Sequence, residues 1–164
     1  MRFAILRNGY VPKGGERMEE KEVMLSIVGT QSAPDGEEAT VELLTKGTYR
    51  RQGDVHTLEY VETDPNSRAD SKTTITLDGP CVSLLRQGAS FSQMFFEEGR
   101  KYVSSFHTPL GDMTVGVFPL SVAYRLEENG GEVDLQYQMD WAGKFANLNQ
   151  FNVNFWEPGH APQP

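Results

Sequence analysis

The chain has 164 residues, 38% of them hydrophobic and 10% aromatic, and a formal net charge of −8 at pH 7. This length fits one domain and is sufficient to bury a core, while the acidic balance disfavours binding to nucleic acid or to an anionic membrane. No apolar run approaches the roughly 20 residues that span a bilayer. The single cysteine, Cys81, excludes an intrachain disulfide and predicts a reducing, cytoplasmic location.

Residues 1–17 differ in charge from the rest of the chain. They carry four basic residues against Glu16 alone, a net charge of +3, so the remainder carries −11. We interpret this segment as a disordered leader or an upstream extension of the reading frame, with Met18 as the start. The alternative is a basic arm that docks elsewhere on the protein.

The first predicted strand covers Val23–Gln31. Thr40–Thr63 follows as two strands joined at Gln52–Asp54, because Gly53 tolerates a positive φ in a tight hairpin turn. Further strands are predicted at 71–77, 81–87, 91–97, 101–108, 113–126, 132–140 and 147–157, separated by turn residues. Pro119 marks a bulge, an edge or a bend within its strand.

These elements amount to nine or ten strands joined by short turns, and no segment keeps a helical apolar period for three turns. Sequential hairpins form an up-and-down meander, and an open meander of this length would leave two long edges that invite aggregation. We therefore predict an all-β protein, a single antiparallel β-barrel of about 8–10 strands over residues 18–157. Residues 158–164 are predicted to be a disordered tail.

Two charged residues fall on apolar strand faces. Side chains alternate across a strand, so Glu62 shares a face with Leu58 and Tyr60, and Arg86 shares one with the apolar side chains of its own strand. An unpaired buried charge is costly, so each is the natural partner of the other. The pair would anchor a polar group of a ligand inside the barrel. The alternative is a structural pair, or two residues at a barrel mouth with their charged ends in water.

Methionine and aromatic side chains extend the candidate lumen. A lining of this kind suits a ligand cavity, and it suits an ordinary packed core equally. The full set of candidate ligand-binding residues is Tyr60, Glu62, Arg86, Met94, Phe96, Tyr102, Met113 and Tyr137.

Catalytic and metal-binding patterns are missing from the sequence. His56, His107 and His160 are far apart, and no His, Cys and carboxylate cluster has metal-ligand spacing. We therefore predict no catalytic residue, no metal and no cofactor. An enzyme ranks last among the hypotheses and would need His107 beside a carboxylate or a hydroxyl in a cleft.

Several short segments occur in an order and spacing that resemble the YwiB-like family of small bacterial proteins. They are Gly47–Tyr49, Leu58–Thr63, Leu85–Gly88, Met94–Gly99, Thr108–Met113 and Leu135–Tyr137. The resemblance covers about Val23 to Glu157 and includes Tyr60, Glu62, Arg86, Gly88 and Gly111 at matching positions, with His107 as a departure. It implies a calycin-type, lipocalin-like barrel in the bacterial cytoplasm, in a domain of unknown function with no established activity.

The first functional hypothesis is a binding module that holds a small hydrophobic or amphipathic molecule in the lumen. It predicts a cavity of a few hundred cubic ångströms. The alternative is a structural or protein-interaction barrel with a filled core and no ligand, and this alternative allows a homodimer.

Overall fold

The computed structural model describes residues 18–162 of the chain. Residues 1–17 and 163–164 lie outside the described residues, as do the expectations for the leader and for the end of the tail. All ten predicted strands are present, so the all-β prediction is confirmed. In chain order they are β1 Met18–Ser32, β2 Glu38–Gln52, β3 Val55–Thr63, β4 Asp70–Asp78, β5 Cys81–Gln87, β6 Ser92–Phe96, β7 Tyr102–Thr108, β8 Gly111–Glu127, β9 Gly130–Trp141 and β10 Lys144–Trp156.

The strands form one antiparallel sheet in the order β6-β5-β4-β3-β2-β1-β10-β9-β8-β7. Every chain-consecutive pair except β6 and β7 is a hydrogen-bonded hairpin, and β1 pairs with β10 in the middle of the sheet. The sheet curls until its two end strands face each other, and this contact between β6 and β7 is called the seam. The predicted up-and-down β-barrel is therefore confirmed, as a nearly closed one.

The seam is held by few backbone hydrogen bonds. At one end Phe91 and His107 form an isolated bridge, with N–H to carbonyl distances of 2.9 and 3.0 Å. At the other end the loop between β6 and β7 crosses to β8, where Gly99 N donates to the carbonyl of Pro119 at 3.2 Å. The pairing of β8 with β9 shifts register between Pro119 and Ser121, which is the bulge predicted at this proline.

The core fills the barrel interior, because alternate residues of each strand point inward. Its members are Val23, Leu25, Ile27, Leu58, Tyr60, Ile75, Leu77, Val82, Leu84, Met94, Phe96, Val115, Val117, Val133, Leu135, Tyr137, Met139, Val153 and Phe155. Burial of one such large apolar side chain stabilises the fold by about 1.5–3 kcal/mol. Gly47 is required within this packing, since a Cβ there would meet the Glu59 carbonyl oxygen and the Leu25 side chain.

Candidate functional site

One end of the barrel is open, with a cavity of about 470 Å³. This volume lies within the range of small-molecule sites, roughly 300–1,000 Å³. Nine of the ten strands supply its lining, namely all except β8. The lining residues are Ile27, Gly29, Thr30, Gln31, Ala39, Val41, Glu42, Leu43, Tyr60, Glu62, Thr73, Leu84, Arg86, Ser92, Met94, Phe106, Tyr137, Met139, Asn149, Gln150 and Phe151. We call this space the lumen cavity.

A row of polar side chains crosses four strands on the inner wall of the lumen cavity. Tyr60 of β3 stands opposite Thr73 of β4, Thr73 opposite Arg86 of β5, and Arg86 opposite Ser92 of β6. Directly opposite residues in an antiparallel pair project from the same face. The four side chains therefore form one polar row, and the apolar core begins on its inner side.

Glu62 and Arg86 form the predicted pair, and they do so at the mouth of the lumen cavity, the position given by the alternative interpretation. The distance from Arg86 Nη2 to Glu62 Oε2 is 3.6 Å, and the side chains are 45% exposed for Arg86 and 34% for Glu62. Both residues also line an adjoining depression of about 290 Å³ between the β3–β4 and β5–β6 loops. The pair lies at the rim of the cavity, where water reaches both side chains.

Two tyrosines bring hydroxyl groups to the inner wall. Burial raises the pKa of Tyr60 to about 12, and a hydrogen bond with Thr73 opposes this rise. Burial raises the pKa of Tyr137 to about 12 as well. Both phenols therefore stay protonated at neutral pH, where each can donate a hydrogen bond.

Asn149 and Thr73 are buried polar residues that the sequence analysis did not select. They are 3% exposed each and line the lumen cavity. Asn149 stands directly opposite Tyr137, and its Nδ2 donates to Asn147 Oδ1. Strand alternation could have placed both residues on inner faces. Asn149 shares a face with Phe151 and two further apolar residues of β10, and Thr73 shares a face with the apolar residues of β4.

The structure brings together five of the eight candidate residues around the lumen cavity: Tyr60, Glu62, Arg86, Met94 and Tyr137. Their role in ligand binding stays a prediction.

The other three candidates lie elsewhere. Phe96 is fully buried below the cavity, with its ring 4.8 Å from that of Tyr137. Met113 is partly buried against the core. Tyr102 lies at the seam, where its ring centroid is 4.7 Å from that of Phe95. These three residues support the walls of the barrel and do not line the cavity.

The opposite end of the barrel has a smaller cavity of about 380 Å³ with a different chemistry. It is lined by Glu19, Lys21, Val23, Tyr49, Arg51, Glu127, Glu128, Asn129, Gly130, Phe155 and Glu157. Lys21 bridges Glu19 at 2.9 Å and Glu157 at 3.6 Å, so three of the charged groups there are paired with one another. Beside them Tyr49 Oη lies 2.7 Å from His56 Nδ1, and burial lowers the pKa of His56.

His107 lies on the outer face near the seam. Its Nδ1 is 2.7 Å from Asp112 Oδ1, its side chain is 54% exposed, and it does not line the lumen cavity. Within residues 18–162, no group of three or more His, Cys, Asp or Glu side chains is placed to hold a metal ion. No helix in the same range has the length and apolar character of a membrane-spanning segment.

The fold and the cavity define a small up-and-down β-barrel protein with an open lumen at one end. Residues 25–153 match the family described as a domain of unknown function, DUF1934, and the chain belongs to this family. The crystal structure of the YwiB protein from Bacillus subtilis is similar, with a TM-score of 0.75 and 20% sequence identity. The similarity covers 85% of this chain and 94% of that one, so the two share a fold. The predicted YwiB-like resemblance is therefore confirmed. The comparison with curated proteins gave no match.

Proposed function

We propose that this protein is a binding module that holds a small hydrophobic or amphipathic molecule in the lumen cavity. The observation that carries the proposal is the cavity itself. A volume of about 470 Å³ remains at one end of the barrel although the interior below it is densely filled with buried apolar side chains. Sites for small molecules are concave and mostly apolar, with a few polar groups that orient the ligand.

The composition of the wall supports an amphipathic ligand. Apolar side chains from seven strands face the cavity, among them Ile27, Leu84, Met94 and Phe151. The charged groups are confined to the mouth, where the Glu62–Arg86 pair lies in contact with water. A molecule with one apolar part and one polar part would match this division. The calycin-type barrel and the cytoplasmic location belong to the same proposal, the latter supported by the single cysteine.

Gly29 allows a direct test, because it lines the cavity and an added Cβ would have no atom within 4 Å. Gly29→Phe should therefore place its Cβ without a clash and its ring in the cavity. It should also keep the barrel stable, since glycine within a strand is unfavourable. Ser26→Leu is the matched control, because it adds an apolar side chain to the outer face of the same strand.

The measurement is native mass spectrometry of the purified protein, combined with titration of the fluorescent probe N-phenyl-1-naphthylamine. We expect the wild-type chain and the Ser26 variant to bind the probe and to carry any co-purified ligand as a mass excess that is lost on denaturation. The Gly29 variant should do neither while melting at or above the wild-type temperature. Equal probe binding by the folded Gly29 variant would place the ligand outside the lumen cavity.

A second candidate function is a protein-interaction barrel that pairs with its own copy. The observation that favours it is the seam, where β6 and β7 share only the isolated bridge between Phe91 and His107. Apolar side chains are exposed beside it, with Val103 at 59% and Leu120 at 42%. An edge strand can pair antiparallel with its own copy about a two-fold axis.

Light scattering coupled to size-exclusion chromatography tests this alternative. Val103→Lys places a charge on the exposed edge, and a dimer built on the seam should dissociate. A wild-type chain that elutes as a monomer at high micromolar concentration would remove the self-pairing barrel from consideration.

A further inference from the structure

The charges around the lumen cavity restrict the kind of molecule that can enter. Two charged residues project from the inner faces of their strands, Glu62 and Arg86, and they lie 3.6 Å apart, so their charges offset each other. Glu42 also borders the cavity, but it stands opposite Val28 on the outer face, because Ile27 holds the neighbouring inner position of β1. A charged ligand group of either sign would meet no unpaired counterion inside, and it would lose hydration on entering, which is costly for an unpaired charge.

The inner wall instead offers neutral hydrogen-bonding groups. Tyr137 and Asn149 stand directly opposite each other in the β9–β10 ladder, and both line the cavity. They are 8% and 3% exposed, so each is more than nine-tenths buried. Asn149 uses its Nδ2 in the bond to Asn147, which leaves its Oδ1 to accept a hydrogen bond from a ligand.

The hydroxyl of Tyr137 is open to the cavity. Burial is the cause that raises its pKa, with no hydrogen bond within the described residues contributing. All fully buried side-chain nitrogens and oxygens of the described residues have hydrogen-bond partners. The Tyr137 hydroxyl therefore keeps contact with the cavity space, where it can donate to a ligand oxygen.

From this geometry we propose that the lumen cavity selects an uncharged amphiphile bearing a hydroxyl group, which Tyr137 and Asn149 hold at the inner wall. The inference rests on the proposed binding function and narrows it to a ligand class. Tyr137 Oη donates a hydrogen bond to the ligand oxygen, and Asn149 Oδ1 accepts one from the ligand O–H, so one hydroxyl can bond to both groups. A carboxylate accepts from Tyr137 but has no hydrogen to donate to Asn149 Oδ1, and its charge would be desolvated with Arg86 already beside Glu62.

The test compares three ligands with the same ten-carbon tail in the wild-type protein. 1-Decanol, decanoate and decylammonium compete with N-phenyl-1-naphthylamine at pH 7.5, below their micelle concentrations. We expect 1-decanol to bind at least 10-fold more tightly than either charged analogue. Decanoate or decylammonium binding as tightly as 1-decanol would overturn the inference while leaving the binding module intact. Failure of the probe and of all three ligands to bind would instead overturn the proposed function and the inference with it.

A variant assigns the polar contact. Tyr137→Phe keeps the ring that packs on Phe96 and removes the hydroxyl. It should weaken 1-decanol binding about 5- to 10-fold, the effect of one lost hydrogen bond, and leave the affinity for the probe unchanged. Tyr124→Phe is the matched control, because the Tyr124 hydroxyl bonds to the Gly79 carbonyl at 2.8 Å outside the cavity.

Unchanged 1-decanol affinity in a folded Tyr137 variant would overturn the assignment of the hydroxyl contact. The ligand comparison uses the wild-type chain, so it remains decisive if the variant does not fold.

Discussion

The loss of unfolding free energy caused by Glu62→Gln distinguishes a solvated ion pair at the rim of the barrel from a buried one. Removing one partner of a buried ion pair costs about 3–5 kcal/mol, because the other charge is left uncompensated. Here the atoms are 3.6 Å apart, and the side chains are 45% and 34% exposed, so water screens both charges. Exposed pairs contribute about 0–1 kcal/mol, and we expect Glu62→Gln and Arg86→Met each to lower the free energy of unfolding by less than about 1 kcal/mol.

The assay is urea unfolding of the two single variants and the double variant, which together give the coupling energy of the pair. Glu59→Gln is the matched control on the outer face of the same strand. Glu59 bridges Arg50 at 3.4 Å and Lys72 at 3.2 Å, and its side chain is 21% exposed. We expect this control to cost more than Glu62→Gln.

A loss above about 2 kcal/mol for either Glu62→Gln or Arg86→Met would refute the reasoning, because only a desolvated pair produces it. The Glu62–Arg86 pair would then be a structural element of the barrel. A small loss of unfolding free energy would show that the pair contributes little to stability, and it would support a role at the cavity mouth.

Two further predictions concern stability. A Cβ at Gly116 would lie 2.6 Å from Asp140 Cγ, so Gly116→Ala should displace this carboxylate from Lys101 and cost less than about 1 kcal/mol in urea unfolding, because the end of the side chain can move aside. The same change in an Asp140→Ala background should cost less, and an equal cost would contradict the clash. Burial, assisted by the charge of Arg51, lowers the pKa of His56 below 6.5, so below that pH the unfolded chain binds more protons than the folded one. Stability should be full above pH 6.5 and fall as the pH decreases towards the folded pKa. His56→Gln should reduce this loss of stability at low pH, measured as the melting temperature against pH. An equal pH dependence in the variant and the wild-type chain would show that another group causes the loss.

The strands and their inward faces could be predicted from the sequence. Alternation with a period of two residues is a local property, and turn residues such as Gly53 limit each strand without reference to the rest of the chain. The same rule placed Glu62 and Arg86 on inner faces, and the structure shows them in contact. It also applies to Asn149, which shares the inner face of β10 with Phe151 but was not among the predicted residues.

The strand ends were less predictable. The apolar pattern of the first strand begins at Val23, whereas β1 begins at Met18, because its ladder with β2 continues to the pair Met18–Gln52. Pairing with a partner strand thus extends a strand beyond its own apolar pattern. The length of the partner cannot be predicted from the sequence of one segment alone.

By itself, the sequence determined the strand count, the meander and the family, because these depend on short-range alternation, turn chemistry and the order of short motifs. Only the tertiary structure decided that β1 pairs with β10, that the seam falls between β6 and β7, and that Tyr102 lies at this seam instead of in the lumen. It alone decided that a cavity remains at one end. Closure and cavity volume depend on how far the whole sheet curls and on the summed volumes of side chains from many strands, which are non-local quantities.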